Sequence, residues 1–291
     1  MIRNVSAHLY ILTHTRSYSN SPPVMQRMQR GLPTKKPIQG VANILLVASG
    51  KGGVGKSTVA VNLATAFSRL GRRAGLLDAD LFGPSVPRMM NLHAQVETRN
   101  GLLVPLTNYG VKCMSMGFLI GDTAPVVWRG LMVMKALEQL IRQVHWAPLD
   151  ILVVDMPPGT GDTQLSLSQL LPVAGAIIVS TPQDVAVADA RKGVEMFRKV
   201  GIPIIGIIKN KSRFECPKCR ECTTIYSTGP ARSFEQLLTE QQISLLADIP
   251  IDPAISTDGD TGTPVVVRDP TSVAAQEYLC TAQTIIERLN V

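Results

Sequence analysis

No stretch of this 291-residue chain approaches 18 consecutive apolar residues, so the sequence offers no candidate for a membrane-spanning helix. Its first 40 residues contain no aspartate or glutamate. Histidine is scarce and scattered, at positions 8, 14, 93 and 145, and none of the four receives a role. No internal repeat and no low-complexity tract interrupts the chain. The formal charge of +7 suggests nucleic acid until it is located. Arg3, Arg16, Arg27, Arg30, Lys35 and Lys36 supply six of those charges, and the rest of the chain is nearly neutral. Without a basic stripe on the body, nucleic acid is not an expected partner.

The acid-free leader is rich in Ser, Thr and Arg, and Ile2, Val5, Leu9 and Leu12 share one helical face. This is transit-peptide composition, without the longer apolar core of a secretory signal. Arg16-Ser17-Tyr18-Ser19 resembles a mitochondrial processing site. Residues 1–30 are therefore expected to be a leader addressed to the mitochondrial matrix. A proline-bearing linker from Ser21 to Pro37 follows, and the domain is expected to occupy residues 31–291. With 45% apolar residues, the chain can bury the core of one α/β domain.

That domain has a readable grammar. Ile44 to Val47 form a short strand, apolar on both faces. From Lys56 the apolar spacing becomes helical (Val59, Leu63, Ala66, Phe67, Leu70), and Gly71 ends the run. Further strands are expected in RRAGLLDAD, VKCMSMGF, LDILVVD, AGAIIVS, IPIIGIIKNKS and ISLLADIPID. Helices are expected over Leu131–Val144, about Val185–Val200 and Val273–Leu289. Strands alternating with helices predict a mostly parallel sheet covered on both faces.

Between the first strand and the first helix, Gly50-x4-Gly55-Lys56-Ser57 is a P-loop in the strand–loop–helix setting that the motif requires. Gly50, Lys51, Gly52, Gly53, Val54, Gly55, Lys56, Ser57 and Thr58 are the candidate nucleotide-binding residues. Glycines allow successive backbone N–H groups to turn around a phosphate, and the helix N-terminus adds partial positive charge. Lys56 would reach the β- and γ-phosphates and Ser57 would bind Mg²⁺. Asp155 follows four apolar residues at a strand end, where it would hold Mg²⁺ directly or through water. Asp78 and Asp80 end a second strand at the same edge of such a sheet.

Three of the five cysteines cluster as Cys216-x2-Cys219-x2-Cys222. Cys113 and Cys280 read instead as small core residues. Two residues between thiolates let both point at one ion, so Cys216 and Cys219 are candidate metal ligands. Zn²⁺ or a [4Fe–4S] cluster wants four ligands, which two chains related by a two-fold axis would supply. Cys222 makes a second, overlapping CxxC.

KGGVGKST, with Lys51 as a second lysine, resembles the deviant Walker A ATPases, which include MinD, ParA, the nitrogenase iron protein and the Mrp/ApbC scaffold ATPases. The segments GLPTKKPIQGV, GLLDADLFGPSVPRMMNL, VVDMPPGTGDTQLSLSQ, VSTPQDVAVADARKG and DGDTGTPVV extend the likeness over most of the chain. ECPKC separates the Mrp/ApbC branch, whose members carry iron–sulfur clusters, from MinD and ParA; the body as a whole most resembles that branch's mitochondrial form, which serves respiratory complex I assembly, and the transit-like leader agrees.

The resemblance implies a homodimer with ATP between the subunits and Lys51 crossing to the partner's nucleotide. It implies that Asp80 orients the attacking water, that Asp78 supports the metal and that Asn210 reads the adenine. It places Gly159 and Gly161 in a switch, chooses [4Fe–4S] over zinc, and makes apo iron–sulfur proteins the clients. Trp128-Arg129-Gly130 also resembles a family motif, structural or client-binding. Cys222 departs from the branch's pattern. The rival readings are a positioning or partition ATPase, a reductase like the nitrogenase iron protein, and a zinc-stapled dimeric ATPase. The C-terminal segment, with Glu277, Glu287 and Arg288, makes a poor membrane helix for the first of these.

Deleting residues 1–30 is expected to leave a folded, soluble, near-neutral protein, checked by circular dichroism and gel filtration. A truncated protein that fails to fold, or a full-length protein that stays cytosolic in cells, contradicts the leader reading.

Overall fold

The computed structural model describes residues 35–291, apart from 82, 120–129, 217, 220 and 227. The expected leader lies outside the described residues, as do Trp128 and Arg129. Among the described residues the strands are β1 (Val41–Ala48), β2 (Ala74–Asp78), β3 (Thr98–Arg99), β4 (Leu102–Leu103), β5 (Leu106–Asn108), β6 (Val111–Ser115), β7 (Leu149–Asp155), β8 (Gly175–Ser180), β9 (Ile204–Glu215), β10 (Cys222–Thr224) and β11 (Leu245–Ile251). The helices are α1 (Lys56–Arg69), α2 (Val86–Met89), α3 (Gly130–Arg142), α4 (Asp162–Leu170), α5 (Asp184–Lys199), α6 (Thr228–Gln241), α7 (Pro253–Thr261), α8 (Val265–Arg268) and α9 (Val273–Leu289).

The main sheet has the order β10-β9-β8-β1-β7-β2-β6-β5, and β11 pairs with β9. Its central pairings are parallel; only β10 with β9 and β5 with β6 run antiparallel. Strand alternation explains the layering. Leu45 and Val47 of β1 enter one core with α1 and α9. Ile44, Leu46 and Ala48 enter the opposite core with α3 and α5. A strand buried on both faces must be apolar throughout, as VANILLVA nearly is.

Register then builds the working edge. Val47 pairs with Asp155, and Asp78 also pairs with Asp155, so the carboxyl ends of β1, β7 and β2 lie side by side. The loop after β1, Asp78 and Asp155 therefore share one edge of the sheet. β9 is longer than the sequence pattern predicts. β8 accompanies it to Lys209, and β10 pairs with its far end at Arg213–Glu215.

Helices α4 and α6 and the short helices α2, α7 and α8 have no counterpart among the expected elements, because their apolar patterns are short or weak. The structure also corrects Cys280, which lies exposed on α9 rather than in the core. Ala274, Ala275, Tyr278, Thr281, Ala282, Ile285 and Ile286 form the buried stripe of that helix, and position 280 falls off it. Cys113 is buried in β6, as expected.

Phe197 of α5 is fully buried in the second core. Phe197→Ala is expected to lower unfolding free energy by about 3–5 kcal/mol in urea titrations. A loss below about 1 kcal/mol would contradict the packing described for this face.

Candidate nucleotide site and cysteine hairpin

Helix α1 begins without a side-chain cap and without an acid in its first turn. Its N-terminal N–H groups and dipole are thus left for an outside anion. Two glycines make the loop before it possible. A Cβ on Gly50 would lie 2.3 Å from the backbone carbon of Asp189 in α5, so only glycine lets the loop start this close to that helix. Gly55 has φ +91°, and a Cβ there would lie 2.2 Å from Asn210 Nδ2. Gly52 and Gly53, by contrast, are exposed.

Lys56 is buried and its Nζ donates to Asp155 Oδ1 and, at 3.2 Å, to Ser57 Oγ. Asp155 Oδ2 is buried with no hydrogen-bond partner. Burial pushes Asp155 above the usual carboxylate range, against the pull of Lys56 and Ser57. Asp80 adds negative charge that raises it further. An unpartnered carboxylate oxygen beside a serine hydroxyl is a donor set that suits Mg²⁺.

Asp78 is also buried, and its value is pushed up to about 7, first by desolvation and then by Asp155. Its oxygens accept from Ser115 Oγ (3.0 Å) and from the backbone N–H groups of Ser85 (3.1 Å), Val86 (3.2 Å) and Asp80 (3.2 Å). The carboxylate thus ties down the loop that carries Asp80, which is half-buried at the same edge. Gly159, with φ +95°, donates its N–H to Ser49 O at 2.9 Å, so the segment after β7 also docks on the P-loop.

Lys51 is half-buried, and its Nζ lies 3.5 Å from Gln183 Oε1 at the start of α5. Asn210 is buried and its Nδ2 donates to Val54 O at 2.8 Å. Next to it, Lys211 Nζ donates to Gly53 O at 3.0 Å. Gly55, Thr58, Asn210 and Lys211 line a cavity of about 640 Å³, closed on its other side by α2 and by Pro250–Asp260. Its size suits a nucleoside beside the phosphate loop. Lys211, Gln183 and Ser115 belong to no spaced motif in the sequence; only the fold brings Lys211 and Gln183 to the loop and Ser115 to Asp78.

The cysteines lie elsewhere. β9 continues past Asn210 to Glu215, and Cys216 follows. Cys216 N–H donates to Glu221 O at 3.0 Å, and Cys222 opens β10 opposite Glu215, so the three cysteines sit on one hairpin. Cys216 is half-buried, Cys219 and Cys222 are exposed, and all three are unpaired. The backbone N–H groups of Cys219 and Lys218 and the Cys219 side chain draw the Cys216 thiol below its ordinary value. That favours the thiolate, the form that binds metal. Asn210 and Cys216 are six residues apart, about 20 Å at most along a strand. The structure thus groups the P-loop, Asp78, Asp80, Asp155 and Asn210 at one site, and sets Cys216 and Cys219 apart at a second.

A parallel sheet with a glycine loop, a buried Lys–Asp pair and a second lysine after Gly50 defines a P-loop NTPase of the ParA and MinD type. Solved structures agree. The nucleotide-binding protein of Archaeoglobus fulgidus, in complex with ADP, aligns with TM-score 0.68 and 35% identity over 77% of this chain and 88% of that one. The cell division ATPase MinD of Pyrococcus furiosus aligns with TM-score 0.58 over 85% and 99%; at 21% identity it shows the fold alone.

Residues 40–286 match the ParA family described as NUBPL iron-transfer P-loop NTPase, and the chain belongs to that family. It is 55% identical over 268 residues to the iron–sulfur cluster transfer protein NUBPL of Mus musculus, covering 91% of this chain and 83% of that protein. It is 49% identical over 262 residues to the iron–sulfur protein required for NADH dehydrogenase, mitochondrial, of Arabidopsis thaliana, covering 89% and 83%.

Lys56→Ala is expected to leave Asp155 buried without its counter-charge, at a cost of about 3–5 kcal/mol at neutral pH. Burial raises the proton affinity of Asp155 in the folded chain. The penalty is therefore absent below the usual carboxylate range, where the group is protonated in both states, and grows as pH rises. Denaturation of both proteins at pH 5 and pH 8 checks this: the difference must be larger at pH 8.

Proposed function

We propose that this chain is an ATP-dependent carrier of iron–sulfur clusters. It binds a [4Fe–4S] cluster as cargo between two copies and delivers it to apoproteins in the mitochondrial matrix, with respiratory complex I subunits among its clients. The observation that carries this reading is β9. One strand holds the P-loop through Asn210 and Lys211 and ends in the hairpin of unpaired cysteines. A MinD-type positioning ATPase has no use for such a hairpin. The names of the mouse and Arabidopsis relatives support the same cargo and client.

Roles follow from chemistry. Gly50 to Thr58 cradle the phosphates, and Lys56 turns one hydrogen bond from Asp155 toward them. Ser57 and Asp155 would hold Mg²⁺, which supplies charge to the phosphates when bound. Asp80 positions the attacking water, and Asp78 acts through the loop it ties. Lys51 reaches the partner's nucleotide. Phosphoryl transfer asks mainly for such positioning and charge stabilisation. Cys216 and Cys219 of each chain give two thiolates. Two copies related by a two-fold axis would give the four ligands that a [4Fe–4S] cluster takes.

Anaerobic reconstitution with iron and sulfide, followed by visible absorption and metal counting, tests the reading. Wild type is expected to gain the cluster absorption. Cys216→Ser and Cys219→Ser are each expected to lose it, because a serine oxygen is a harder and far less acidic ligand. Cys222→Ser is expected to keep most of it. Tight zinc in place of iron, with no visible absorption, overturns the cargo.

A further inference from the structure

Asn210 and Lys211 are neighbours on β9, and side chains of neighbours on a regular strand point to opposite faces. Here both reach the same loop: Asn210 Nδ2 donates to Val54 O at 2.8 Å and Lys211 Nζ to Gly53 O at 3.0 Å. Two features break the alternation. Lys211 has φ +57°, a left-handed conformation that residues with a Cβ seldom adopt. The pairing with β11 is irregular at the same place: Ile249 pairs with Asn210 but Ile251 with Phe214, so two steps on β11 span four on β9. A bulge of this kind re-aims a side chain.

The carbonyls that these side chains hold are consecutive. In a planar trans peptide the C=O and the N–H point opposite ways. Holding Gly53 O and Val54 O toward β9 therefore aims the N–H groups of Val54 and Gly55 away from it. These are two of the donors that a phosphate needs. Gly55 lacks the Cβ that would strike Asn210 Nδ2, which keeps the approach open.

We propose that Lys211 is a positioning residue that, together with Asn210, presets the P-loop for phosphate by holding its Gly53 and Val54 carbonyls outward. The inference rests on the nucleotide-binding reading above. It gives Asn210 a task independent of the base, and gives a lysine outside the P-loop a part in phosphate affinity.

The test compares wild type with Lys211→Met, which keeps the stem and removes the donor, and Lys211→Arg, which restores one. Pyrophosphate, ATP and adenosine are titrated by calorimetry, and amide hydrogen exchange is followed in the ligand-free protein. Lys211→Met is expected to bind pyrophosphate and ATP about five- to tenfold more weakly, the effect of losing one hydrogen bond of ordinary net strength. Adenosine binding falls by less than pyrophosphate binding, although Lys211 also lines the nucleoside cavity, and Val54 and Gly55 exchange faster while the core strands do not. Lys211→Arg recovers most of the affinity.

Wild-type affinity for pyrophosphate in Lys211→Met overturns the proposal. So does weaker pyrophosphate binding with unchanged exchange, which would put the ammonium on the phosphate itself. An equal loss for adenosine overturns it too. A wild type that binds neither pyrophosphate nor ATP overturns the nucleotide reading, and this inference with it.

Discussion

The ion pair of Lys56 with Asp155 is the contact on which the site depends. The two side chains are 6% and 0% exposed, and they come from segments 99 residues apart. Burying two charges costs several kcal/mol per ion unless their geometry and other hydrogen bonds are good. The sheet provides that geometry. β7 lies beside β1, with Asp155 opposite Val47, so the carboxylate emerges where the loop turns into α1. The doubly covered sheet, the apolar β1 and the glycine crowded against Asp189 all serve to place these two groups. A nucleotide would enter a site already charged.

A second consequence lies along β9. The strand touches the loop at Asn210 and Lys211, is irregular just beyond, and ends at Glu215 beside the cysteine hairpin. Its pairing with β11 leads into Pro250–Pro253. Those four residues line both the 640 Å³ cavity beside the loop and a smaller one of about 370 Å³ beside Cys216. At most about 20 Å of strand therefore separates the phosphate loop from the cysteine hairpin, and one element joins the two.

Much of this was legible in the sequence. The P-loop, the strands ending in Asp78 and Asp155, and the CxxC were read from patterns whose chemistry dictates their spacing. α1, α3, α5 and α9 were found because each buries a continuous apolar stripe. What escaped depends on contacts distant in sequence. Lys211 looks like an ordinary charge in IIGIIKNKS until the fold sets it under Gly53. Ser115 looks like a strand residue until β6 pairs with β2 and places its hydroxyl on Asp78. Cys280 looked like core because Cys so often is, yet its helical phase turns it outward. α4 escaped because DTQLSLSQL carries too few apolar residues to mark a face.

In the proposed assembly two chains share one cluster. Native mass spectrometry of the anaerobically reconstituted protein tests it most directly. The expected species is two chains with about four irons and four sulfides, the complement of one [4Fe–4S] centre, falling to iron-free monomers when Cys219 is replaced by serine. A wild-type monomer carrying a complete cluster would make Cys222 or an outside thiol a ligand and contradict the shared site.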